Sequence, residues 1–88
     1  SQIMAGSVLQ SGCVIGKNSI INTSVSIDHD CQIGDNVHIS PGTTICGNVK
    51  IGNNTFIGAG SLIIPNINIP SNSFIKAGEK ILKTYKKK

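Results

Sequence analysis

Isoleucine returns at every sixth position along nearly the whole chain. Ile3, Leu9, Ile15, Ile21, Ile27, Ile33, Ile39, Ile45, Ile51, Ile57, Ile63, Ile69, Ile75 and Ile81 are fourteen consecutive hits, thirteen of them isoleucine. Three residues after each of the first thirteen comes a residue that turns the chain: Gly6, Gly12, Asn18, Ser24, Asp30, Asn36, Gly42, Asn48, Asn54, Gly60, Asn66, Asn72 and Gly78. Glycine and asparagine tolerate positive φ, and the short polar types bond to their own backbone in turns. The next position is small or β-branched as far as Ser73, and Glu79 departs from that rule. Neither helical spacing nor simple alternation produces this order. A short strand and a turn, repeated every six residues, does.

Repeats of this spacing are the mark of a parallel β-helix, in which each unit buries its inner face against its neighbours. That architecture also accounts for an odd composition. A chain of 88 residues with only Phe56, Phe74 and Tyr85 as aromatics lacks the large side chains on which a compact globule relies. Stacked isoleucines supply the burial instead. Charge is sparse, with eight lysines, no arginine and four acids, and five of the lysines fall in the last nine residues. Without arginine or a broad basic face, nucleic-acid binding is not expected. No apolar run approaches a membrane span, so membrane insertion is not expected either. Three cysteines at no metal-ligand spacing point to a reducing cytoplasm and to no metal site. The domain reading is a β-helix over residues 1–81 followed by a basic tail over residues 82–88.

If three hexapeptides close one triangular coil, residues eighteen apart stack in columns. The outward turn columns are then Lys17, Asp35, Asn53 and Ser71, which reads as solvated; Ala5, Thr23, Pro41, Ala59 and Ala77, which is small; and Ser11, His29, Gly47 and Pro65. Among the outward strand positions, Ile20, His38, Phe56 and Phe74 form an apolar stripe, the kind of surface that packs on a partner or lines a groove. Both histidines and three of the four acids lie within residues 27–40, IDHDCQIGDNVHIS. His29 nevertheless belongs to a corner and His38, nine residues on, to the opposite wall. Bringing them to one place requires a second subunit. Cys13 and Cys31 fall at inward positions and read as core thiols.

The hexapeptide order resembles the hexapeptide-repeat acyltransferases. The segment INTSVSIDHDCQIGDNVHISPGTTICGNVKIGNNTFIGAGSLIIPN is similar to the coil region of bacterial sugar acetyltransferases of the bacillosamine, perosamine and sialic-acid type. The more specific signal is a His-acid pair followed by His nine later and Gly eighteen later. The resemblance implies an all-β, left-handed parallel β-helix of a little over four triangular coils, with no substantial helix, assembled as a homotrimer. It implies acetyl-coenzyme A as acyl donor and a sugar, nucleotide-linked in that group, as acceptor.

By the same resemblance His29 is the general base, since an ordinary histidine accepts a proton near neutral pH. Asp30 orients the imidazole, although relatives often carry the longer Glu there. Gly47 offers its N–H to the thioester carbonyl, a glycine that also lets the cofactor approach the backbone. His38 contacts the acetyl end from the neighbouring subunit, and Ala59 and Ala77 line the groove for the pantetheine arm. Related enzymes carry an N-terminal α/β domain that holds much of the nucleotide sugar, and this chain starts already in register at Ile3, so a fragment is expected. Three other readings share the scaffold. One is a serine or simple-sugar O-acetyltransferase, and another a non-catalytic trimeric β-helix. The third, a carbonic anhydrase, needs three histidines around zinc, and only two exist.

Overall fold

A computed structural model describes residues 2–83. The basic tail is therefore represented by its first two residues, and the rest of it lies outside the described residues. The described residues form an all-β solenoid of fourteen two-residue strands, three to a coil, in three parallel sheets. Pairing joins residues eighteen apart in strict register, as in Ile20 to His38 to Phe56 to Phe74 and Ser26 to Thr44 to Leu62 to Lys80. The result is a triangular prism measuring 32 × 22 × 22 Å.

The three faces are named here by their outward side chains. The aromatic face carries Gln2–Ile3, Ile20–Ile21, His38–Ile39, Phe56–Ile57 and Phe74–Ile75; the mixed face carries Val8–Leu9, Ser26–Ile27, Thr44–Ile45, Leu62–Ile63 and Lys80–Ile81. The polar face carries Val14–Ile15, Gln32–Ile33, Lys50–Ile51 and Asn68–Ile69. Each strand contributes one outward residue and one inward isoleucine or leucine, because side chains alternate across a strand.

Closure of the triangle depends on the turns. All thirteen turn residues expected from the sequence have positive φ, from Asn36 at 56° to Gly12 at 80°. Eight of them are not glycine, and six of those eight are asparagine, the L-residue that most readily enters this region. Every corner is thus made by the same backbone conformation, and the coils superimpose.

Inside, isoleucine columns are sealed: Ile21, Ile27, Ile39, Ile45, Ile57, Ile63 and Ile75 are fully buried. Between them stand small residues whose polar atoms are consumed by turn carbonyls. Ser19 donates to the Gly34 carbonyl at 2.8 Å, Thr43 to those of Ser40 at 2.9 Å and Gly58 at 3.2 Å, and Ser73 to that of Pro70 at 2.6 Å. Cys31 is buried, as expected of a core thiol, and donates to the Cys46 carbonyl at 3.1 Å. Burial raises its thiol pKa above the ordinary value, so it stays protonated. Cys13 is only half-buried. It donates to the Asp28 carbonyl of the coil above at 2.9 Å. Among the described residues no buried side-chain nitrogen or oxygen lacks a partner.

One column differs from its sequence reading. Lys17, Asp35, Asn53 and Ser71 are not simply solvated; three of them form a ladder of side-chain caps. The Lys17 N–H donates to Asp35 Oδ1 at 2.8 Å, the Asp35 N–H to Asn53 Oδ1 at 2.8 Å, and the Asn53 N–H to Ser71 Oγ at 3.0 Å. Each of these three apex amides is capped by the apex residue of the next coil. Asp35 is thereby accounted for as a structural acid.

The packing predicts sharp position dependence. Ile45→Ala removes a fully buried side chain from the middle of a column and is expected to cost about 2–5 kcal/mol. Its outward neighbour, Thr44→Ala, should stay within about 0.5 kcal/mol of wild type. Urea denaturation followed by circular dichroism measures both.

Candidate functional site

The corner between the mixed and polar faces carries His29. In its turn, Asp28 N–H bonds upward to the Ile45 carbonyl at 2.8 Å, and Asp30 N–H bonds downward to the Ser11 carbonyl at 3.0 Å. The His29 carbonyl accepts the Asn48 N–H at 2.9 Å. His29 is therefore tied to the coils on both sides while its ring projects from the apex. Asp30 Oδ2 lies 3.3 Å from His29 Nδ1, with both side chains more than 60% exposed. An exposed pair of that length adds little stability. Its effect is on the ring: a carboxylate at Nδ1 favours the N–H on that atom, which leaves the lone pair on Nε2.

Two glycines make room for the pair. A Cβ at Gly47, one coil above, would lie 2.8 Å from both Nε2 and Cε1 of His29. A Cβ at Gly12, one coil below, would collide with Asp30 Oδ1. The sequence reading gave the glycine at 47 to close approach by a cofactor. In the folded chain its missing side chain is the space the imidazole fills.

Gly47 has a second property. It is buried, and its N–H has no acceptor among the described residues. The capping ladder of the neighbouring corner is not repeated here, since the apex residue above Gly47 is Pro65. A buried amide without a partner is uncommon in folded proteins and costs free energy unless a ligand or water meets it. The exposed apex amides of Ala59 and Ala77, at the corner between the aromatic and mixed faces, also lack acceptors among the described residues.

The other expected site residues are not brought to His29 within one chain. Ala59 and Ala77 stack at the next corner, across the width of the mixed face. His38 lies on the aromatic face, opposite the His29 corner, with its ring stacked on Phe56 at 5.2 Å and Phe56 stacked on Phe74 at 5.1 Å. Phe56 is 36% and Phe74 62% exposed in the single chain. Among the described residues no group of three His, Cys, Asp or Glu side chains is placed to hold a metal ion. None contributes a helix long and apolar enough to cross a membrane.

Sequence reasoning missed Asp28. Its Oδ1 accepts the His29 N–H at 2.7 Å, so acids flank the histidine on both sides. The available signal was the D-H-D triplet, in which the first Asp stands one residue before an apex, as Asn22 stands before Thr23.

The profile of the bacterial transferase hexapeptide (six repeats) family matches residues 12–47 and 30–65. The acetyltransferase domain of PglB from Neisseria gonorrhoeae is 36% identical, with a TM-score of 0.93 over 96% of this chain and 41% of that one. The same domain in complex with acetyl coenzyme A gives a TM-score of 0.85 at 36% identity, over 90% of this chain and 40% of that one. A mutant of perosamine N-acetyltransferase from Caulobacter crescentus, in complex with CoA and GDP-perosamine, is 26% identical. Its TM-score is 0.79, over 94% of this chain and 45% of that one. The chain thus spans less than half the length of each of these structures. No curated protein matches it.

The two glycines predict different outcomes on substitution. Gly47 does not have positive φ, and the atoms in the way belong to a side-chain ring. Gly47→Ala should therefore leave the melting temperature within a few degrees while shifting the His29 ring resonances in NMR. Gly12→Ala places a side chain at φ 80° and against Asp30, and should lower the melting temperature by an amount equivalent to about 1 kcal/mol or more.

Proposed function

The chain belongs to the bacterial transferase hexapeptide-repeat family, and from that premise we propose that it transfers an acetyl group from acetyl-coenzyme A to an amino or hydroxyl group of a sugar. The observation that carries this reading is the histidine corner: the Nε2 edge lies against Gly47, whose buried amide lacks an acceptor among the described residues. Relatives whose structures hold acetyl coenzyme A, or CoA with GDP-perosamine, supply the substrate class. On this reading the acceptor is a nucleotide-linked sugar used in bacterial surface-glycan synthesis, and the reaction is cytoplasmic. Three thiols without a disulfide fit a reducing compartment.

His29 is the general base. As the acceptor nitrogen or oxygen attacks the thioester carbonyl, its proton passes to Nε2. Asp30, at Nδ1, steadies the imidazolium that results, the part a carboxylate plays beside the histidine of hydrolytic triads. Negative charge grows on the carbonyl oxygen, where the Gly47 N–H meets it; a donor of this kind is worth about 2.7–4 kcal/mol in other acyl-transfer sites. The C–S bond then breaks, and the departing thiolate takes the proton from the imidazolium. Ala59 and Ala77 offer their open apex amides to the pantetheine arm.

The working enzyme is a homotrimer. His38 reaches the acetyl end of the donor from the neighbouring protomer, because within one chain it faces away from His29. The stacked His38, Phe56 and Phe74 face is what the neighbour covers. An apolar aromatic strip of this kind is a usual seed of a subunit contact.

His29→Ala is expected to lower kcat by about 10²–10⁴-fold. Calorimetry should find its acetyl-coenzyme A affinity within about twofold of wild type, and an unchanged kcat would remove His29 from the chemistry. Phe74→Asp should convert the trimer to monomer in sedimentation velocity and abolish turnover together with it. A monomer that still turns over would show that one chain holds the whole site.

A further inference from the structure

The apex amide of a turn is the backbone donor that coil-to-coil pairing leaves over, and where the structure caps it with a side chain it does so by one of two means. At Lys17, Asp35 and Asn53 the cap is the apex side chain of the next coil. At Thr23 that route is closed, because the apex above is Pro41; there Asn22 Oδ1, one residue earlier, accepts the amide at 2.7 Å. His29 has the same difficulty for a different reason. The apex above it is Gly47, which must lack a side chain to admit the imidazole. The cap has to come from the preceding residue, and Asp28 Oδ1 supplies it at 2.7 Å.

We propose that Asp28 is a positioning residue for His29, acting through the His29 amide as a hydrogen-bond acceptor rather than through its charge. The inference rests on the reading of His29 as general base. The peptide joining residues 28 and 29 sets where the imidazole leaves the corner. Its neighbours on the far side are fixed by the Asn48 and Ser11 bonds. On the near side the capping carboxylate is the bond that keeps the His29 amide from turning, while the thiol of Cys13 holds the Asp28 carbonyl at 2.9 Å. Loss of the cap leaves the Cys13 thiol as the tie on this peptide and lets its amide turn, so that the ring drifts off Gly47. Displacements of that order at a reacting group cost up to about a hundredfold in rate. Cys46, the residue preceding Gly47, has no side-chain oxygen. The same corner therefore closes the amide that orients the base and leaves open the amide beside it.

The test compares Asp28→Asn with Asp28→Ala in the full-length enzyme, alongside His29→Ala. Asn retains an oxygen acceptor, as Asn22 does, and should keep kcat within about twofold of wild type. Ala should lower kcat between about tenfold and a hundredfold, with KM for acetyl-coenzyme A little changed. Amide hydrogen exchange at His29 should quicken in Asp28→Ala and stay slow in Asp28→Asn. Equal impairment of Asn and Ala would overturn the proposal in favour of charge, and a wild-type kcat for Asp28→Ala would overturn it outright. If His29→Ala itself is fully active, the reading of His29 as base fails. The exchange data then still report whether Asp28 holds the amide.

Discussion

A backbone held at positive φ once in every six residues is what lets the chain turn through a corner in so few steps, and the rest of the structure follows from it. An extended two-residue strand reaches only about 7 Å, so three of them close a triangle only if each is followed by a tight, identical turn. The penalty for a side chain in this conformation is modest for asparagine and absent for glycine. Seven of the eight non-glycine turn residues donate their N–H to the apex carbonyl of the coil below, which helps to hold them in this conformation. Once the corners are identical the coils stack in register, and register turns sequence spacing into spatial columns.

The columns divide the molecule between corners that hold its shape and the corner that carries the candidate site. Of the other two corners one is small, and the other, with Lys17 and Asp35 among its apices, is braced by a hydrogen-bonded ladder. The His29 corner is built the other way. A glycine above and a glycine below remove side chains so that an imidazole and a carboxylate occupy the space. With Pro65 above it and Cys46 before it, the buried Gly47 amide has no acceptor among the described residues. Residues that look like gaps in the pattern are what the site is made of, and local exceptions to folding rules tend to gather at functional positions.

Much of this was legible in the sequence because a strict period needs no three-dimensional information. The inward isoleucines, the thirteen turn positions, the stacking of Gly47 over His29 and the separation of His29 from His38 all follow from counting by six and eighteen. What counting could not supply was the direction of a side chain at an apex. Lys17, Asp35, Asn53 and Ser71 read as a wet column, and only coordinates reveal that Asp35, Asn53 and Ser71 point down onto the amides of the coil beneath. Asp28 was passed over for a related reason, since its acceptor is directed at its own backbone neighbour. Gly47 stacks over His29 as the count of eighteen requires, and counting could not show that the imidazole lies in the space its absent side chain leaves. Periodicity describes the lattice, and the chemistry depends on where short polar groups break or decorate it.

Strict register also governs how such a chain can change length. An added block of eighteen residues would raise the prism by one storey and leave every face with its own kind of surface. A block of six would turn everything beyond it by a third of a revolution, so that Phe74 would leave the stripe begun by Ile20, His38 and Phe56. Inserted between 29 and 47, it would part the imidazole from the glycine that accommodates it. The tolerated vocabulary of insertions is therefore narrower than the repeat itself: the hexapeptide is the unit of construction, but the whole coil is the unit of meaning.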